Sequence, residues 1–136
     1  MQNPPPVQTT KSSTGLDENI AALLSYIFGW VSGMIFFLIE KDSRLVRFHA
    51  MQSILLNVSI GVLAFVVWIV VFILLIIVSQ ISDALSTIVG LLMTLIWLAF
   101  SVGILIAWVL CLVKAYQSQY YKLPIIGNFA EKFSAK

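Results

Sequence analysis

The sequence predicts an all-α integral membrane protein with three transmembrane helices, its N-terminus outside and its C-terminus cytoplasmic, plus short interfacial helical segments. Three observations predict it. Of the 136 residues, 60% are hydrophobic and 10% charged, against roughly 45–50% and 25% in an ordinary soluble domain. Apart from Asp83, the stretch from Ile54 to Val113 carries no charged residue. The apolar runs are continuous, whereas the strands of a spanning barrel would alternate apolar with polar positions. A chain this short buries little in a water-excluding core of its own, so its expected core is helices packed together in lipid.

Residues 1–15 combine a Pro triplet with Gln, Ser and Thr and offer too little apolar surface to offset the entropy of ordering, which predicts a flexible polar tail. Residues 16–136 form a single membrane domain. Asp17 and Glu18 precede the first apolar run where a signal peptide would carry positive charge, so that run is expected to be retained. It spans 20–39, twenty uncharged residues, or about 30 Å as a helix, the thickness of the hydrocarbon layer. The second run, 54–78, and the third, 88–113, are longer and can tilt. Ser79 to Thr87 is short and polar enough to turn the last two into a helical hairpin. Residues 114–136 follow as a cytoplasmic segment.

Three spans place seven of the eight Lys and Arg residues on one side. Lys41, Arg44 and Arg47 lie in the first loop, Lys114, Lys122, Lys132 and Lys136 after the third run, and Lys11 alone opposite. Cations favour the cytoplasmic side, which gives a multi-pass protein of a prokaryotic cell membrane with the first loop and C-terminus inside. Lipid leaves helices little hydrophobic reason to associate, so rows of small residues mark close approach. The rows are Ser25, Gly29 and Gly33 in the first run, Ser53, Asn57 and Gly61 in the second, and Ala99, Gly103, Ala107 and Cys111 in the third. Asn57, an amide inside an apolar run, is expected to bond across a helix interface.

Candidate chemistry is confined to the cytoplasmic surface. The spans lack the ionisable groups of a proton or ion carrier. The chain has no GxxxxGK[ST] phosphate loop, no HExxH, no CxxC and a single histidine, so no cofactor, metal site or catalytic residue is expected, and the protein is read as non-enzymatic. The lone Cys111 allows no intrachain disulfide. A net charge of +2 gives no reason to expect a nucleic-acid partner. Asp42 or Ser43 can cap a long helix continuing into the second run. Lys41 just before it and Arg44 and Arg47 on its first turns can meet anionic lipid headgroups, and Phe48, His49 and Gln52 follow them. Near the C-terminus, Lys122, Leu123, Pro124 and Gly127 form a loop before a short helix, with Asn128 and Glu131 as a capping pair and Phe129 and Phe133 as an apolar face. These two segments share a side and form one candidate platform for membrane lipid, a protein partner or a second copy of the chain.

The segments GLDENIAALLSYIFGW, EKDSRLVRFHAMQS and YYKLPIIGNFAEK resemble a family of small prokaryotic membrane proteins of unknown function, itself similar to the membrane subunit of the chloroplast inner-envelope Tic protein-import complex. The resemblance covers about Gly15 to Lys132, with RFHAMQS its most specific block, and implies a helical membrane fold. The Tic-like branch usually has four spans, and this chain lacks a polar pore lining. The expected function is therefore a membrane scaffold or accessory subunit acting through its cytoplasmic face. The alternative is an oligomeric channel or translocation subunit, and a membrane enzyme with His49 as base is a third reading.

Overall fold

The computed structural model describes residues 10–135, and among them it is helical without strands. Five helices follow in order: α1 (Glu18–Ile27), α2 (Trp30–Ile39), α3 (Arg44–Ser79), α4 (Asp83–Tyr116) and α5 (Ile126–Ser134). The chain divides into two compact units. One takes in the described chain up to Asn57 together with that from Leu110 onward; the other is Val58–Val109.

The first apolar run departs from expectation. In place of one spanning helix over 20–39 it forms two helices of ten residues each, about 15 Å apiece and half the hydrocarbon thickness. Gly29 makes the break. Its φ of +61° is a conformation that glycine reaches without steric cost. Its amide turns back to the Tyr26 carbonyl at 3.1 Å. The Ser32 hydroxyl then donates to the Ser25 carbonyl (3.0 Å) and accepts from the Phe28 amide (3.1 Å), pairing groups that a continuous helix would have paired itself.

The two ends of this helix pair meet. Ser13 donates its amide to both carboxylate oxygens of Glu40 (3.1 and 3.0 Å), and its hydroxyl lies 2.8 Å from Oε1. Composition places residues 10–15 in a flexible tail, yet Ser12 is 5% exposed and Glu18 donates its amide to the Thr10 carbonyl at 3.1 Å. Serine side chains bonded to a buried carboxylate hold a segment whose composition alone gives no reason for order. Residues 1–9 of that tail lie outside the described residues.

The helix α3 has 36 residues. Ser43, one of the two expected caps, starts it by accepting from the Val46 amide at 3.2 Å. Glu40 Oε1 also accepts from the amides of Asp42 and Ser43 (3.0 and 2.8 Å). A turn over 80–82 leads into α4, whose first turn opens with Asp83, the favourable sign of charge at that helix end.

The two units differ in where their apolar residues point. Every buried residue among those described lies in the first unit, whereas Val58–Val109 contains none. Large side chains such as Phe65, Trp68, Leu91 and Leu98 are more than half exposed. A core helix of a soluble protein is mostly buried and a signal sequence lies near the N-terminus. The most apolar stretches of α3 and α4 are 0% and 6% buried, and both helices lie beyond residue 43. They are long and apolar enough to cross a membrane, and their all-round apolar surface suits lipid.

Candidate functional site

The first unit is organised around a polar core. His49 and Gln52, both fully buried, project from α3 towards α1, α4 and the chain after α4. His49 Nε2 lies 2.9 Å from the Gln119 carbonyl and Nδ1 3.1 Å from the Tyr26 hydroxyl. A carbonyl only accepts, so Nε2 carries the hydrogen and Nδ1 accepts from Tyr26. Gln52 Nε2 donates to the Tyr121 carbonyl (3.1 Å) and the Tyr26 oxygen (3.3 Å), and stands 3.8 Å from Cys111 Sγ. Its Oε1 is buried without a partner among the described residues. Burial drives the His49 pKa down to about 4 although the Gln119 carbonyl opposes the shift. At neutral pH the ring is an uncharged structural link with both nitrogens engaged.

Glu40 is the second buried centre. Burial pushes its pKa up, but the amides of Ser43 and Ser13, with further bonds from the Ser13 hydroxyl and Asp42 amide, hold the carboxyl below its ordinary value. Arg47 packs beside it. Its Nη1 donates to the Glu40 carbonyl at 2.9 Å, its Nε to the Ser134 carbonyl at 3.3 Å, and its guanidinium lies 4.7 Å from the Phe37 ring centroid. Arg47 therefore ties α2, α3 and α5 together.

Around these centres lies a cleft of about 360 Å³ lined by Arg44, Phe48, Tyr120, Glu131, Ser134 and Ala135. The rings of Phe48 and Tyr120 are 5.4 Å apart. A second cleft shares Arg44, Ser134 and Ala135 and adds Lys41, Asp42 and Arg47. Burial raises the Tyr120 pKa first and the Glu18 carboxylate adds to it, while Arg44 opposes both. Lys41 and Arg44 are exposed, with no hydrogen bond from their side chains to the described residues.

The C-terminal loop residues act mainly through backbone. Leu123 and Pro124 offer carbonyls to Gly127 and Ile126 (2.8 and 2.7 Å). A Cβ on Gly127 would stand 2.6 Å from Lys122 Cα, so the close crossing requires glycine. Asn128 does not cap α5, because the helix already begins at Ile126. Glu131 instead pairs with Lys122 at 2.6 Å.

The small-residue rows divide. In the first unit Gly33 sits against Ala50 and Ser53, and Gly29 against Asn57. Ser53 Oγ donates to the Gly29 carbonyl at 3.0 Å. Ser25 is buried and donates to the Ala22 carbonyl of its own helix. Asn57 departs from expectation, because its amide donates to the Ser53 carbonyl of its own helix at 2.8 Å. Its packing against Gly29 is steric. Gly61 and Gly103 face open space, Ala99 is exposed and Ala107 half-buried, while Cys111 is buried. Charge and spacing missed Tyr26, Glu40 and Tyr120. The available signals were a hydroxyl inside an apolar run and the single acid that closes it.

A family model described as the magnetosome magnetite crystal formation protein family, MamF/MmsF, matches residues 16–130. The chain belongs to this family. Relatives include a UPF0132 membrane protein of Methanocaldococcus jannaschii, 36% identical over 91% of this chain and 94% of its own length. A UPF0132 membrane protein of Archaeoglobus fulgidus is 38% identical over 86% of this chain and 95% of its own. No solved structure matches. Membership of a family of small membrane proteins, with the two apolar helices, supports a membrane location.

Proposed function

We propose that this protein is a non-enzymatic membrane scaffold with two spans, α3 and α4, holding a polar unit on the cytoplasmic face that meets anionic lipid or a protein partner. The observation that carries this reading is the bond between Ser13 and Glu40. A first run that enters and leaves on one side is a re-entrant pair, with exposed Phe28 and Trp30 at its tip. All eight Lys and Arg residues then share one side, and the turn over 80–82, flanked by Asp83, has the other. This is a stronger charge bias than three spans give. Irregular backbone such as the Phe28–Gly29 turn is tolerated at membrane depth where protein covers it, and here Ser53 and Asn57 do so.

Fluorescent-protein fusions test the arrangement. Fusions at either terminus are expected to fluoresce, as a cytoplasmic location requires; a dark N-terminal fusion beside a bright C-terminal one would return the chain to three spans. The family description names magnetite crystal formation. The scaffold function proposed for this chain draws on its membrane surface and on the Ser13–Glu40 bond.

One observation favours the channel or oligomer alternative suggested by the Tic-like resemblance. Ala99 and Gly103 are exposed on α4, available to a second copy. Cysteine crosslinking at Gly103 in native membranes tests it: a crosslinked dimer supports self-association, and a monomer at every protein density removes it.

A further inference from the structure

Resting on the reading that the first unit meets the membrane surface, we propose that the cleft at Arg44 is a discrete site for the phosphate ester of an anionic phospholipid headgroup. Charge selects the occupant. Of the charged groups lining the two adjoining clefts, Glu131 is paired with Lys122, Asp42 Oδ2 lies 2.7 Å from the Ser13 hydroxyl, and Arg47 is engaged with two carbonyls. Arg44 and Lys41 have no hydrogen bond or ion pair from their side chains among the described residues. A guanidinium presents parallel N–H donors that match two phosphate oxygens, and the opening of about 360 Å³ beside it is roomy enough for a headgroup.

The surroundings favour lipid over a soluble phosphate ester. Tyr120 is 56% exposed at the cleft, and on the face of α5 away from the cleft-lining Glu131 and Ser134, Phe129 and Phe133 are 52% and 46% exposed at i, i+4. Leu38 and Ile39, also exposed, immediately precede Glu40 and Lys41. The aromatic wall of Phe48 and exposed Tyr120 lines the cleft itself, and with exposed apolar residues elsewhere on the neighbouring elements it suits a phosphate that carries acyl chains, whereas a free phosphate makes no use of it. Arg47, equal to Arg44 in the sequence pattern, lines only the adjoining cleft and is engaged with the carbonyls of Glu40 and Ser134.

The test uses the full chain purified in detergent, so its result does not depend on which way the protein threads the membrane. Binding of dioctanoyl phosphatidylglycerol, dioctanoyl phosphatidylcholine and chain-free glycerophosphoglycerol is measured by native mass spectrometry. Wild type is expected to prefer phosphatidylglycerol, Arg44→Gln to weaken it about tenfold, Arg44→Lys to fall between, and the equal-charge control Lys11→Gln to change it less than about twofold. Equal losses in Arg44→Gln and Lys11→Gln would reduce the site to general surface charge and overturn it. Glycerophosphoglycerol binding as tightly as the lipid would overturn the lipid assignment.

Discussion

Ser13 and Glu40 stand 27 positions apart in the chain and are bonded through the serine amide and hydroxyl to one carboxylate. This contact closes the helix pair between them and joins the segment before α1 to the start of α3. A carboxylate whose donors are mostly backbone amides is poorly replaced by a neutral amide, whose NH2 group would face other donors. Glu40→Gln is expected to lower stability by about 2 kcal/mol and Ser13→Ala by about 1 kcal/mol. Thermal unfolding of the purified protein in detergent checks both, and an unchanged melting temperature in Glu40→Gln would contradict the contact's role.

The glycines should separate by location. Gly127→Ala brings a Cβ within 2.6 Å of Lys122 Cα, and Gly33→Ala within 2.9 Å of the Ala50 carbonyl oxygen, so each is expected to cost about 1–3 kcal/mol. Gly29→Ala adds backbone strain of about 1–3 kcal/mol, because φ +61° with ψ −131° is accessible to glycine and poorly to other residues, to a 3.0 Å approach to Asn57 Oδ1. Gly61→Ala and Gly103→Ala meet nothing within 4 Å and, as mid-helix positions, should be neutral or stabilising by up to about 1 kcal/mol. The same melting measurement ranks all five.

Acid should loosen the first unit through His49. Its folded pKa, about 4, lies below the ordinary 6.5, so the uncharged ring contributes stability that is fully present above 6.5 and lost as pH falls towards 4. That loss amounts to about 3 kcal/mol. Glu40, also depressed, adds a contribution present above its ordinary 4.5 and lost below it. Melting temperature measured from pH 7.5 to 4.5 should fall in wild type and fall less in His49→Gln. Parallel curves would contradict a buried neutral imidazole.

Arg44 and Arg47 should part company. Arg47→Gln removes bonds to the carbonyls of Glu40 and Ser134 and the packing on Phe37, with an expected loss of about 1–2 kcal/mol. Arg44→Gln should leave the melting temperature within about 1 °C, as an exposed, unpaired side chain allows. Equal destabilisation by both would contradict the different roles assigned to them.

Much of this was legible in the sequence. The length of α3, its Ser43 cap and the short turn into α4 follow from continuous apolar runs and polar punctuation. The break at Gly29 did not follow, because a Gly that breaks a helix and a Gly that lets two helices touch look alike in a GxxxG spacing. Gly33 does the second and Gly29 the first. The partners of Arg47 are equally hidden in the sequence: they are carbonyls, which leave no trace in a charge pattern. The exposed Ala99 and Gly103 show that small-residue spacing marks where close approach is permitted without saying what approaches.

The two-span arrangement depends most on which side of the membrane holds Thr14. Single cysteines at Thr14, Gln80 and Gln117, in a Cys111→Ala background, can be probed in intact cells with a thiol reagent that does not cross membranes. Two spans with a re-entrant pair predict labelling at position 80 alone, with positions 14 and 117 reacting only after permeabilisation. Labelling at 14 and 80 with 117 protected would mean that the first run crosses the bilayer, and would contradict two spans with a re-entrant pair.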